Sequence, residues 1–192
     1  MSERKRFKYE EYIGKFPEVI ETEYSEKTVT VFRTVVELPP DEIDYTPRTL
    51  RKEEDILKYE SRLTDEKIIS LPYDKKKRLV GNIGLSCNDS PEAALDSIRK
   101  QISKKVEIAN KAELSVEDIW SDIMQYRESR GNYIVKYDFN PEAGQFSEFE
   151  NHHCNYLPYQ DVNIEDYRDT SFKPIEVDYH KLYENAKGKK DI

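Results

Sequence analysis

Three places along the chain combine residue types that could do chemistry. The first is Arg33, a guanidinium set among valines in TVTVFRTVVEL, residues 28–38. A charge there must reach water along its own stem or find a partner. At the floor of a cleft it can grip a phosphate through two parallel N–H···O bonds. The second place is Gly84-Leu85-Ser86-Cys87-Asn88, small and polar residues just ahead of Ser90-Pro91-Glu92. A strand ending before a capped helix presents a hydroxyl and unpaired amides at one point, and a helix N-terminus attracts anions. The plainer reading is a β-to-α connection that satisfies its own cap. A helix end also lowers the pKa of a nearby thiol, which makes Cys87 a candidate nucleophile against its being a small residue packed under the turn. The third place is Ser147-Glu148-Phe149-Glu150-Asn151-His152-His153-Cys154. Carboxylates, imidazoles and a thiol are the groups of general acid–base and Cys–His chemistry. On an extended backbone His152 and His153 point to opposite faces, so at most one serves a given site. The alternative is a polar surface loop with one histidine tucked in. The segment supplies too few convergent ligands for a metal, and none is expected.

The elements that must position these residues are mixed. Residues 28–38 read as a strand with Val29, Val31, Arg33 and Val35 on one face and Phe32, Val36 and Leu38 on the other, ended by Pro39-Pro40. Residues 7–16 read as a short amphipathic helix ahead of Pro17, and 49–63 as a mostly polar helix. A short strand at 67–71, a basic turn at 74–78 and a second strand at 79–86 follow, with Gly81 and Gly84 allowing a close approach to the backbone. The clearest helices are the two principal ones, about 90–110 and 116–128. Ser90 caps the first, Pro91 opens it, and Ala94, Leu95, Ile98, Ile102, Val106 and Ala109 form its apolar stripe. Ser115 caps the second and Gly131 stops it. Residues 133–139 read as a strand and 140–160 as loop, then a short helix capped by Asn163 and a terminal strand near 175–179. The sum is a single α+β domain with a mixed, mostly antiparallel sheet and short flexible basic ends at about 1–6 and 186–192.

Composition narrows the function classes. Hydrophobic and charged residues each make up 36% of the 192 residues, a thin core under a solvated surface that fourteen Tyr and seven Phe help to fill. The net charge of −8 argues against bulk binding of a phosphate backbone, so nucleic acid is not the expected partner. Basic runs at 4–8, 75–78 and 187–190 leave room for a local basic groove. Two cysteines without a CxxC, no apolar leader and no apolar run of ~20 residues point to reduced thiols in the cytoplasm and no membrane span. P-loop, GxGxxG, HExxH, EF-hand and GxSxG patterns are absent, which counts against ordinary NTPase, Rossmann and zinc chemistry.

In order, Arg33 on an early strand, Ser86 closing a second strand and the Glu148-Phe149-Glu150 triplet late in the chain resemble the Arg–Ser–Glu pattern of ADP-ribosyltransferases, over roughly residues 28–178. The resemblance implies NAD as co-substrate with no tightly bound cofactor, Arg33 on the NAD phosphates and Ser86 shaping the nicotinamide pocket. It makes Glu150 the catalytic carboxylate, Glu148 the preceding acidic position, and Phe32, Phe149 or Tyr156 the aromatic wall. A fixed carboxylate would stabilise the oxocarbenium character that builds as the nicotinamide bond breaks. A small toxin or effector is the implied kind of protein. The chain departs from the family where Ser86-Cys87-Asn88 replaces Ser-Thr-Ser, and where Asn151–Asn155 intervene before Tyr156-Leu157-Pro158. Two other expectations stand beside it. One is a non-enzymatic acidic binding protein, of immunity, antitoxin or inhibitor type, whose tyrosines and charge engage a basic partner. The other is a Cys–His hydrolase using Cys87 or Cys154.

Overall fold

Pro17 starts a helix rather than stopping one. In the computed structural model, which describes residues 5–188, α1 (Glu10–Ile13) is followed by α2 (Pro17–Glu23), with Pro17 in a first turn where its missing N–H costs nothing. Strands β1 (Tyr24–Ser25) and β2 (Val29–Val35) follow, then two 3-10 turns at Glu42–Tyr45 and Arg48–Leu50. Three helices come next: α3 (Glu53–Glu60), α4 (Asp65–Ser70) and α5 (Tyr73–Ile83). After β3 (Leu85–Asn88) run the two long helices, α6 (Pro91–Lys111) and α7 (Val116–Arg130). Their caps form as the residues dictate: Ser90 Oγ accepts from Ala93 N at 3.2 Å and Ser115 Oγ from Asp118 N at 3.1 Å. Gly131 ends α7 at φ 111°, a conformation in which an added Cβ would meet the Val35 backbone. The remaining elements are β4 (Tyr133–Phe139), β5 (Gly144–Ser147), β6 (His153–Pro158), a 3-10 turn at Ile164–Tyr167, β7 (Ile175–Glu176) and α8 (Tyr179–Lys187).

Several expectations are corrected. Residues 67–71 are helical, not a strand, and the basic run 74–78 forms the first turns of α5 instead of a turn. That helix continues to Ile83, so the strand expected at 79–86 shrinks to β3. Leu79, Val80 and Ile83 are buried together against α1 and α2, and a short apolar run with this spacing suits a helix as well as a strand. The segment 140–160, expected to be loop, is the β5–β6 hairpin. Its turn places Asn151 and His152 at φ 50° and 67°, with Glu150 N donating to His153 O at 2.8 Å and His153 N to Glu150 O at 3.1 Å. Two left-handed residues are what a two-residue hairpin of matching twist requires. The terminal strand is two residues long, and the chain then enters α8, capped by Asp178. Of the expected flexible ends, residues 1–4 and 189–192 lie outside the described residues, while 186 and 187 belong to α8.

The seven strands form one antiparallel sheet in the order β1-β5-β6-β3-β2-β4-β7. One face carries Val31, Val35, Cys87, Val135, Tyr137, Cys154 and Tyr156 into an aromatic-rich core. The other face is covered by two separate helical groups. Helices α6, α7 and α8 pack on Phe32 and Ile134, while α1, α2 and α5 pack toward Leu157. Register pairs Phe32 with Asn88, Asn88 with His153, and Ser86 with Asn155. The strip of this face between the helical groups is therefore polar: Thr34, Ser86, Asn88, His153 and Asn155. Among the described residues no helix is long and apolar enough to cross a membrane.

Candidate functional site

Strands β2 and β3 share a single register pair, Phe32 with Asn88, and past it toward Thr34 and Ser86 they have no further ladder. A cavity of about 200 Å³ occupies this end of the sheet. Thr34, Leu85 and Ser86 line it from the strands, Thr46–Arg51 from the segment after β2, and Gly81, Asn82 and Gly84 from the end of α5. Ser129 and Arg130 close it from the end of α7. Gly84 is needed for this arrangement, because a Cβ there would stand 2.9 Å from the Asn155 Cβ that fixes the end of α5 against the sheet.

Arginines dominate the lining. Arg33 is only 6% exposed; its Nη2 donates to the main-chain carbonyl of Asp44 at 2.6 Å, while Nε and Nη1 are buried without a partner. The Asp44 carboxylate is turned to the Val36 amide instead, at 2.7 Å. Arg51 donates from Nε to Thr46 O at 2.9 Å and from Nη1 to Ser129 O at 3.2 Å. Arg130 donates from Nη2 to Ser97 Oγ at 3.1 Å, and its buried Nε has no partner. Arg48 makes no ion pair or side-chain hydrogen bond among the described residues. Among the described residues none of the four is in an ion pair, and no carboxylate lines the cavity.

Main-chain carbonyls hold Arg33 and Arg51 in place, and a serine hydroxyl holds Arg130. Helices α5 and α7 both meet the cavity with their C-terminal ends, whose partial negative charge favours arginine. Yet the cluster is electrostatically unsatisfied. Burial, then repulsion from Arg130, pushes Arg48 down to about 10, although more than a third of its residue surface is open; it stays charged at neutral pH. Arg51 is lowered by burial and then by Arg33. The same field reaches the neighbouring strand: burial, then the charges of Arg130 and Arg48, holds the His153 imidazole below its usual pKa and hence neutral at pH 7. The hydroxyls of Thr34, Thr49 and Ser86 make no side-chain hydrogen bond among the described residues and are free to donate into the cavity. An anion seated here would relieve the mutual repulsion of the guanidinium groups.

The structure thus brings Arg33 and Ser86 to one cavity, and it places Glu148 and Glu150 elsewhere. Glu150 accepts from Lys77 Nζ at 2.7 Å and Glu148 from Lys27 Nζ at 3.0 Å, both at the exposed β5–β6 hairpin. Neither lines the cavity. Nor do the aromatic side chains that might wall a nicotinamide: Phe32 packs edge-on to Phe172, Phe149 against the core, and Tyr156 stacks on Phe146 at 4.5 Å. His152 is exposed and hydrogen-bonded to Asp89 at 2.7 Å. Cys87 and Cys154 are register partners, both with no exposed surface. Contact with Cys87 and burial push the Cys154 thiol far above its usual range, while the same contact lowers Cys87. Buried thiols of this kind are poor nucleophiles toward anything in solution. An aromatic disulfide reagent is accordingly expected to titrate no thiol in the native protein within minutes and both after denaturation. Fast native labelling of either would reveal an access path that this packing does not provide. No group of three or more metal-ligating side chains occurs among the described residues.

Sequence reasoning missed Arg48, Arg51 and Arg130. Their only signal was a pair of arginines three apart after Pro47, and an arginine at the last turn of a helix that stops at Gly131. Both patterns are common at helix ends. Comparison with protein-family models, with curated proteins and with solved structures finds no match to this chain, so its function has to be argued from the cavity.

Proposed function

We propose that the protein binds a small phosphate-bearing ligand in the arginine-lined cavity. What carries the reading is Arg33: a guanidinium more than nine-tenths buried, with two donor atoms unpartnered, lining a cavity that among the described residues has three further arginines and no carboxylate. Burying such a charge is costly unless something pairs with it, and a dianion that accepts from several guanidinium groups is the fitting partner. Among the described residues the lining contains no carboxylate, imidazole or thiol to serve as general base, which favours binding over hydrolysis. The test is thermal unfolding with inorganic phosphate against sodium chloride of equal ionic strength. At a phosphate concentration ~100 times Kd the protein should gain about 2.7 kcal/mol. For a chain of this size that is a rise of roughly 5–10 °C in Tm. A curve that moves no more with phosphate than with chloride would remove the proposal.

A narrower form takes NAD as the ligand and the protein as an ADP-ribosyltransferase. Supporting it is the convergence of Arg33 and Ser86 on the cavity. It requires Glu150 to leave Lys77 and reach the bound nicotinamide ribose. Purified protein with cell extract as acceptor should then consume NAD, and Glu150→Gln should not. No turnover in either, from folded protein, removes NAD chemistry; equal turnover in both removes Glu150 as its catalytic carboxylate, and in either case phosphate binding stands on its own test.

A further inference from the structure

A second cavity, about 420 Å³, adjoins the first, and Asn82 near the end of α5 lines both. Among the described residues its charged lining is Arg62, Lys67, Lys75 and Arg78, again with no carboxylate. Helix α5 sorts its basic run by face. Lys76 is paired with Glu18 at 2.9 Å, and Lys77 with Glu23 and Glu150 at 2.7 Å each. Lys75, Arg78 and Asn82, spaced three and four apart, lie on the side toward the second cavity. Lys75 and Arg78 have no carboxylate partner among the described residues, nor does Arg62; Lys67 donates to the Ser61 carbonyl at 2.6 Å. In a chain of net charge −8, two adjoining cavities lined by arginine and lysine, without one acidic side chain among the described residues, form a distinct basic track.

We infer that the ligand is a chain of at least two phosphate groups, with a terminal phosphate in the four-arginine cavity and the next anionic group crossing Asn82 into the Arg62–Lys75–Arg78 cavity. This deepens the phosphate-binding reading and rests on it. The size of the first cavity suits an end and not a through-going strand, since ligand sites for drug-sized molecules run to ~300–1,000 Å³. A terminal phosphate monoester also carries close to two negative charges at pH 7, against one for an internal diester, and so answers more guanidinium groups. Among the described residues neither lining contains an aromatic ring, so a nucleobase has no ring there to stack on and recognition falls on the phosphates themselves. Such a chain can be a phosphoanhydride run or the 5′-phosphorylated end of an oligonucleotide.

The experiment compares Kd values for inorganic phosphate, linear tripolyphosphate, and a dinucleotide with and without its 5′-phosphate, in wild type and in Lys75→Ala/Arg78→Ala. Both replaced side chains are exposed, and circular dichroism and Tm verify that the variant folds. At least one of the two phosphorylated chains should bind roughly tenfold or more tighter than phosphate, as added charge-assisted contacts predict. The double variant should lose that gain while its affinity for inorganic phosphate stays unchanged. Preference for tripolyphosphate assigns the phosphoanhydride source; preference for the dinucleotide, lost with its 5′-phosphate, assigns the nucleic-acid end. Phosphate binding as tightly as either chain, or a chain advantage that survives the double substitution, overturns the inference and leaves the simpler binding site intact. Failure of inorganic phosphate and both chains to bind removes the site altogether.

Discussion

Arg33→Met should cut the phosphate-dependent rise in Tm to about half or less and leave the unliganded protein nearly as stable as wild type. The two halves of this expectation have separate causes. In the folded protein Arg33 makes one hydrogen bond, to the Asp44 carbonyl, and leaves Nε and Nη1 buried without partners. Each unsatisfied donor costs about 1–3 kcal/mol, so removing the guanidinium offsets the loss of its single bond. Methionine is unbranched and adaptable, and it can follow the arginine stem between Val31 and Val35, both fully buried on the same strand face. Net stability should stay within about 1 kcal/mol, in line with the near-neutral outcome of replacing buried charges by apolar groups of similar volume. Binding has no such compensation. A charge-assisted hydrogen bond is worth about 1.5–3 kcal/mol, so loss of the buried cation should weaken phosphate roughly 10- to 150-fold, by calorimetry or thermal shift. A variant that folds and binds phosphate as wild type does would show that the cavity is not the anion site.

Arg48→Gln should move stability and binding in opposite directions. Arg48 lacks a partner among the described residues, and it is crowded by protein atoms, Arg130 and Arg51, which lowers its pKa. Its charged form is therefore disfavoured by folding. By linkage, a cation whose pKa falls on folding opposes the folded state at every pH where the unfolded chain keeps the proton, neutral pH included. Removing the charge should raise the Tm of the ligand-free protein. Part of the side chain is open to solvent, which screens the repulsion, so a gain of about 0.5 kcal/mol, a degree or two, is the expected size. Added sodium chloride should shrink the difference, since it screens the same repulsion in the wild type. Phosphate affinity should fall roughly tenfold, the share of one guanidinium that no longer answers the anion. A variant less stable than wild type at low salt would mean that Arg48 is held by contacts that outweigh the crowding. Stability given up for a charged cavity is a usual mark of a binding site.

The parts of this fold that were legible in the sequence are those governed by neighbours along the chain. Ser90-Pro91-Glu92 and Ser115 start α6 and α7 because a serine oxygen can cap only amides two or three residues ahead. Alternation across 29–35 put Arg33 on the face of Val31 and Val35, and the structure keeps it there, because period two is a property of the strand itself. The strands expected at 67–71 and 79–86 and the turn expected at 74–78 fail for the converse reason. Whether Leu79, Val80 and Ile83 lie on a helix or a strand depends on the α1–α2 surface that covers them, and no local pattern contains that surface. The β5–β6 hairpin was lost in a segment whose turn residues, Asn151 and His152, carry no glycine to announce it.

The site divides in the same way. By itself the sequence determined that Arg33 was an arginine out of place, that Ser86 closed a strand before a capped helix, and that no standard nucleotide or metal motif was available. The tertiary structure alone decided which charges share a space. Arg48, Arg51 and Arg130 come from a 3-10 turn, its end and the last turn of α7, separated from one another by up to the length of several elements. They meet because β2 and β3 part after one register pair and because the C-terminal end of α7 supplies a carbonyl to Arg51 there. The same packing ties Glu150 to Lys77, away from the cavity. Electrostatic repulsion acts through space, and a linear pattern records the charges without recording the distances between them.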